Sequence, residues 1–161
     1  MTSRACTFGE GQPVVLVLPY PISANRYWRS RAVKGMAMTY VSVEAKSYKS
    51  EVAWLVKQAG IRTPFLGRVS VDIRLFPKRP QDWATRARKN PTSWDDTVQC
   101  IDLDNARKVL YDALKGLAFE DDKWIREDSG ARMVPDGDAR VVVTIRPWVS
   151  DTPQGGLFDV S

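Results

Sequence analysis

Two acidic groups in the second half of the chain hold its most chemically capable residues. Asp102 and Asp104 stand two apart in Ile101-Asp102-Leu103-Asp104-Asn105-Ala106-Arg107-Lys108, and Glu120-Asp121-Asp122 follows Phe119. In an extended lead-in to a helix, residues i and i+2 project to the same side, so the first pair is expected to present its carboxylates together. Asp104 can cap the helix that follows, and Lys108 sits one turn further on the face that Asp104 begins. If that helix lies across a sheet, the returning chain can bring residues 120–122 toward the first pair. Clustered carboxylates suit Mg²⁺, a hard cation that prefers oxygen ligands and keeps several waters. Such an ion can generate hydroxide from bound water and offset charge on a phosphorane-like transition state. A lysine nearby would stabilise the leaving oxygen or bind the scissile phosphate. Plainer roles exist for each piece: a helix cap at Asp104 worth about 1 kcal/mol, an ion pair from Lys108 to Asp104 or Asp112, and an acidic turn at 120–122.

Composition removes the competing chemistries. The chain has no histidine, which excludes a Ser-His-Asp triad, a Cys-His pair and a His-rich metal site. Its two cysteines, Cys6 and Cys100, are too few for a four-cysteine zinc site and form no disulfide framework. The longest apolar run, Val14 to Leu18, is far short of the roughly 20 residues of a membrane span. No apolar stretch follows Arg4 at the N-terminus. The expectation is a single soluble cytoplasmic domain of 161 residues, with no membrane partner.

Charge is divided unevenly. The net charge is +5, with 16 Lys or Arg against 7 Asp or Glu in residues 1–100, but 8 against 12 in residues 101–161. Uneven solvated charge is one reading, since charge balance bears on partners and not on fold. The other is that the basic part holds a phosphate backbone and the acidic part holds the metal that cuts it.

The elements that must position these groups follow from periodicity. Val14 to Leu18, closed by Pro19-Tyr20-Pro21, reads as a strand buried on both faces. A polar, basic loop from Ser23 to Arg31 follows. A helix is expected from Ser42, its N-cap, to Gly60, with Ala45, Tyr48, Val52, Leu55, Val56 and Ala59 inward. From Arg68 to Phe76 the period is two, giving a half-buried strand. Residues 77–99 show neither period and read as a loop insertion. A second helix is expected from Asp104 to Gly116. The end of the domain reads as a hairpin, Asp128 to Val134 and Arg140 to Arg146 around Pro135-Asp136-Gly137. The order β-α-β-α-β-β implies an α/β fold, a small mixed sheet packed with two main helices. The domain is expected over residues 1–148, with 149–161 as a flexible tail.

Arg26, Arg29, Arg31 and Lys34 in the first loop, and Arg79, Arg86, Arg88 and Lys89 in the insertion, are the expected phosphate contacts. Such contacts give affinity and salt dependence without reading bases. Tyr27, Trp28, Trp83 and Trp94 lie among them, either as stacking platforms for splayed bases or as core anchors.

The run Asp102-Leu103-Asp104-Asn105-x-x-Lys108, with Asp112-Ala113-Leu114 next and Asp121-Asp122 behind it, resembles the RusA family of Holliday-junction resolvases. Upstream, Pro19-x-Pro21-x-x-x-Asn25-Arg26-Tyr27 resembles that family's N-terminal segment, and Val41-Ser42-x-Glu44-x-x-x-Tyr48-Lys49 its first helix. The resemblance covers roughly residues 14–147. It implies a homodimeric endonuclease, dependent on Mg²⁺ with Mn²⁺ as the alternative, that cuts four-way DNA junctions by paired nicks in recombination and repair. Asp102, Asp104 and Asp122 would be the metal-binding carboxylates, with Asp121 able to stand in for Asp122, and Lys108 the catalytic lysine. Two departures, Cys100-Ile101 in place of the family's basic residue and proline, and the length of the 77–99 insertion, bear on substrate selectivity. The runner-up is a junction- or DNA-binding protein of the same fold without cutting activity. In the tail, Gln154-Gly155-Gly156-Leu157-Phe158 resembles the short peptide by which bacterial replication and repair proteins bind the sliding clamp. Gln154, Leu157 and Phe158 would be its contacts.

Overall fold

Residues 12–149 are described by the computed structural model, so the clamp-like peptide at 154–158 lies outside the described residues. Four strands form one mixed sheet in the order β1-β6-β4-β5: β1 (Val14–Pro19), β4 (Val69–Phe76), β5 (Ile125–Arg132) and β6 (Arg140–Pro147). The centre of the sheet is set by matched apolar alternation. Val71, Ile73 and Leu75 of β4 stand opposite Ile145, Val143 and Val141 of β6, and all six are fully buried. Helices α2 (Val43–Gln58) and α4 (Leu103–Leu114) cover that face, burying Ala45, Tyr48, Val52 and Val56 from one and Ala106, Val109, Leu110, Ala113 and Leu114 from the other. The mixed α/β fold with two main helices is as the sequence implies.

Four local expectations change. Strand β1 is buried on one face only: Val15 and Val17 are each 58% exposed, because among the described residues β1 is an edge strand and no helix covers its outer side. The expected C-terminal hairpin does not pair with itself. β4 lies between its arms, parallel to β5 and antiparallel to β6. The reason is polarity: Ile-Arg-Glu-Asp-Ser-Gly-Ala-Arg of β5 offers no apolar face and takes the sheet edge, while β6 matches the core side of β4. The first loop is mostly structured. A single turn, α1 (Ala24–Tyr27), leads into a two-stranded ribbon of β2 (Trp28–Val33) and β3 (Met36–Val41). The insertion also folds, carrying α3 (Trp83–Lys89), and Arg132 of β5 pins it by donating to the carbonyls of Asp95 and Val98 at 2.9 and 2.7 Å.

Helix ends fix the acidic segment. Ser42 caps α2 as expected, its hydroxyl accepting from the Ala45 amide at 3.1 Å. The cap of α4 is Asp102, whose Oδ1 accepts from the Asn105 amide at 2.9 Å, so Asp104 lies inside the first turn and not at the cap. Gly116, with φ of +76°, takes the left-handed conformation that ends this helix at low steric cost.

Candidate active site

The first turn of α4 separates two clefts. One, of about 410 Å³, is lined by Asp104, Asp112 and Asp122 and by Arg107, Lys108 and Lys115, with Trp28 at its wall. The other, of about 1090 Å³, holds Asp102 among Arg26, Lys78, Arg79 and Arg86. Helical geometry explains the division: Asp102 is still extended, whereas Asp104 has entered the helix and turned away. The two carboxylates expected to project together therefore face different clefts, while Asp104 and Asp122 share one.

Charges in the smaller cleft are mutually engaged. Lys108 Nζ lies 3.1 Å from Asp104 Oδ2, and Lys115 Nζ lies 3.3 Å from Asp121 Oδ2. Asp121 starts a 3₁₀ turn over Asp122–Trp124 and accepts from the Lys123 amide at 3.1 Å. A hydrogen bond shared with the Asp122 carboxyl, then that amide and Lys115, hold the Asp121 carboxyl down to about 2. Among the described residues no three Asp, Glu or Cys side chains converge closely enough to enclose a cation as they stand. The donors suit a hard divalent cation in kind: all are carboxylate oxygens, and those of Asp104 and Asp122 are exposed and carry no buried partner to displace.

Long-range hydrogen bonds seat α4. Tyr20, at the end of β1, accepts from the amide of Ile101 at 2.7 Å across 81 positions and donates to Cys100 Sγ at 3.5 Å. Burial, then the Cys100 contact, push its hydroxyl up to about 12. The Tyr27 hydroxyl donates to Asp112, which Lys49 also approaches at 3.4 Å. Tyr48 donates to the Pro19 carbonyl at 2.9 Å. The hydroxyls of Tyr27 and Tyr48 are raised far above the usual range, burial being the first cause in both.

The expected DNA contacts divide into groups. Arg26, Arg79 and Arg86 come together with Asp102 in the larger cleft, although they arise from distant segments. Arg26 pairs with Glu44 at 2.7 Å, and Arg86 with Asp82 at 3.0 Å. Exposed pairs of this kind hold a side chain weakly and yield to a stronger anion. Arg29 and Arg31 stand on β2, with Lys34 at the ribbon turn. Arg88 and Lys89 are exposed at the end of α3 and line neither cleft. Tyr27 is fully buried, which removes it from the base-stacking candidates; Trp28 packs edge-on against it at 4.5 Å. Trp83 and Trp94 pair at 6.3 Å, and Arg79 lies over Trp83 at 4.7 Å.

Several participants are new. Lys78 joins the larger cleft, and Arg107, Asp112 and Lys115 the smaller. Arg107 crosses β5 at Gly130, where a Cβ would stand 2.9 Å from its guanidinium, and approaches Asp128 at 3.1 Å. Tyr111 donates to the same Asp128 at 2.9 Å. Spacing gives no hint of these contacts, which cross between α4 and a strand that looks like surface.

Comparison with known proteins places this geometry. The profile of the family Endodeoxyribonuclease RusA matches residues 19–146, a span that includes both clefts. The crossover junction endodeoxyribonuclease RusA of Enterobacteria phage HK97 is 29% identical over 132 residues, covering 80% of this chain and 91% of the phage protein. The proteins of that name from Escherichia coli O139:H28 and strain K12 are 30% and 32% identical over 117 and 108 residues. These alignments cover 70% and 65% of this chain, and 72% and 68% of the respective relatives. The match runs from the β1 proline at 19 through β6 and takes in every carboxylate of the smaller cleft: this chain belongs to the RusA endodeoxyribonuclease family.

Proposed function

We propose that this protein is a structure-selective endodeoxyribonuclease that resolves four-way DNA junctions by paired nicks, acting as a homodimer in recombination and repair. The observation that carries this reading is the smaller cleft, where Asp104, Asp122 and Lys108 meet within the family-matched span. Asp104 and Asp122 would hold a divalent cation, Mg²⁺ or Mn²⁺, with Asp102 across the first turn of α4 and Asp121 as an alternative ligand. When bound, such a cation supplies an activated water and offsets negative charge on the phosphate under attack. Lys108, 3.1 Å from Asp104, would lend its ammonium to a phosphoryl oxygen once Asp104 is otherwise occupied. Arg26, Arg79 and Arg86 offer cations beside Asp102 to an adjoining phosphate. A two-fold dimer suits the substrate, because a four-way junction offers two symmetric strands. The clamp-like peptide at 154–158 would connect the enzyme to replication machinery.

The test is a labelled four-way junction incubated with the full chain, with and without Mg²⁺. Symmetric nicks that need the cation are expected. Tight binding with no nicks under Mg²⁺ or Mn²⁺ would instead make the protein a junction binder without cutting activity.

A further inference from the structure

Neither cleft uses the outer part of the β2–β3 ribbon. Among the described residues its strands pair only with each other, and residues opposite one another share a face: Arg29 with Tyr40, Arg31 with Met38, Val33 with Met36. One face thus combines cations with large apolar side chains, while the other carries only Ser30, Ala32, Ala37 and Thr39 beyond its root. Met36 is 71% exposed, Met38 53% and Tyr40 46%. Lys34 and Gly35, with φ of +50° and +78°, form a tight turn that continues the ribbon's twist. From Trp28 to Val41 there are three cations and no carboxylate.

A row of methionines beside arginines, with no anion among them, fits a partner that is polyanionic outside and apolar between its layers. Stacked bases between phosphate strands have that character, and methionine is among the side chains that proteins wedge between base steps. Position adds to the argument. The ribbon is rooted at Trp28, which lines the cleft of Asp104, Lys108 and Asp122. Six strand residues extend it about 20 Å from there, so DNA with a phosphate in the cleft passes within its reach.

We propose that the ribbon is a branch-point wedge: Met36 and Met38, backed by Tyr40, enter between base pairs at the crossover while Arg29, Arg31 and Lys34 hold the flanking phosphates. Unstacking costs least where the strands exchange, so a wedge favours branched over linear DNA. This rests on the junction-cutting reading above and adds the means of selection to it.

The experiment uses the full chain carrying Asp104→Asn, to separate binding from cutting, and a four-way junction with 2-aminopurine at the crossover. Binding is expected to raise the fluorescence severalfold, and Met36→Ala with Met38→Ala to remove most of that rise. The pair should also reduce the preference for junction over linear duplex by about tenfold, one mismatch-sized step in DNA recognition. Linear-duplex affinity and melting temperature should stay unchanged, since both side chains are exposed. An unchanged fluorescence rise and preference overturns the wedge. So does a shift from dimer to monomer with the rise intact, which would make the ribbon a contact between copies. If the parent chain with Asp104 intact neither prefers nor nicks junctions, it is the underlying reading that fails.

Discussion

The two clefts on either side of the first turn of α4 share a wall and differ in charge. The larger is lined by four cations, Arg26, Lys78, Arg79 and Arg86, and by the single carboxylate of Asp102, with Glu44 and Asp82 pairing Arg26 and Arg86 weakly from outside it. The smaller balances Asp104, Asp112 and Asp122 with Arg107, Lys108 and Lys115. A surplus of cations attracts a phosphate strand but leaves little that can react with it. A balanced set has no surplus of cations to draw a phosphate strand in, its carboxylates oppose a phosphate locally, and those carboxylates stay available to a metal. On the proposed function, the difference would divide holding from cutting, with the first turn of α4 between the two.

The largest effects should come from the smaller cleft. Asp104→Asn and Asp122→Asn are each expected to lower junction cleavage about a hundredfold or more, the scale of losing one preorganised charge partner. Binding should hold or tighten, because a repulsion against phosphate disappears. Asp102 sits between the two tasks. Asp102→Asn keeps an oxygen to cap the Asn105 amide and loses only charge, whereas Asp102→Ala also loses the cap, at about 1 kcal/mol. A rate loss shared by both variants makes Asp102 part of the cutting site. Normal cutting by Asp102→Asn, measured on purified junction, makes it a cap alone.

Neutralising the larger cleft should break the pattern the other way. Arg79→Gln with Arg86→Gln is expected to weaken junction binding and to flatten its salt dependence, by about 0.9 in log–log slope for each phosphate no longer neutralised. Single-turnover cleavage at saturating protein should remain within a few-fold. If the rate collapses with the slope unchanged, the clefts do not divide the work as their charges suggest.

This division was only half legible in the sequence. Amphipathic period and caps located α2 and β4 well, because Ser42 and the Val69-to-Leu75 alternation answer to local forces. The acidic residues were legible as types, and the roles proposed for them came from the resemblance to the family motif. What spacing could not carry was which side of a helix turn each would face: a cap two positions earlier than expected, at Asp102 in place of Asp104, sends the two carboxylates to different clefts. Strand partners were equally hidden, since β5 and β6 adjoin in sequence while the buried face of β4 competes for β6 and wins. The ribbon escaped notice for another reason. Its alternation places cations and methionines on one face in water, a pattern that no burial rule anticipates.

The smallest effect concerns the wall between the clefts. Tyr20 holds the Ile101 amide, one residue before Asp102, at 2.7 Å. Tyr20→Phe leaves that part-buried N–H without its partner, and the cost of an unmet donor is about 1–3 kcal/mol. Tyr111→Phe is the comparison: its hydroxyl donates to an exposed Asp128 carboxylate that water can satisfy, so its loss should be smaller, about 0.5–1 kcal/mol. Thermal or urea unfolding of both variants measures the gap. Alkaline pH sharpens it. The folded protein keeps the Tyr20 hydroxyl neutral to about 12, against 10.0 for a free tyrosine, so the unfolded chain releases this proton first as pH rises. The stability tied to that proton is whole below about pH 10 and is lost as pH climbs toward 12. The parent should therefore lose more stability over that window than Tyr20→Phe does. A Tyr20→Phe variant as stable as the parent at neutral pH, with the same alkaline loss, would mean that the shared wall stands without this hydroxyl.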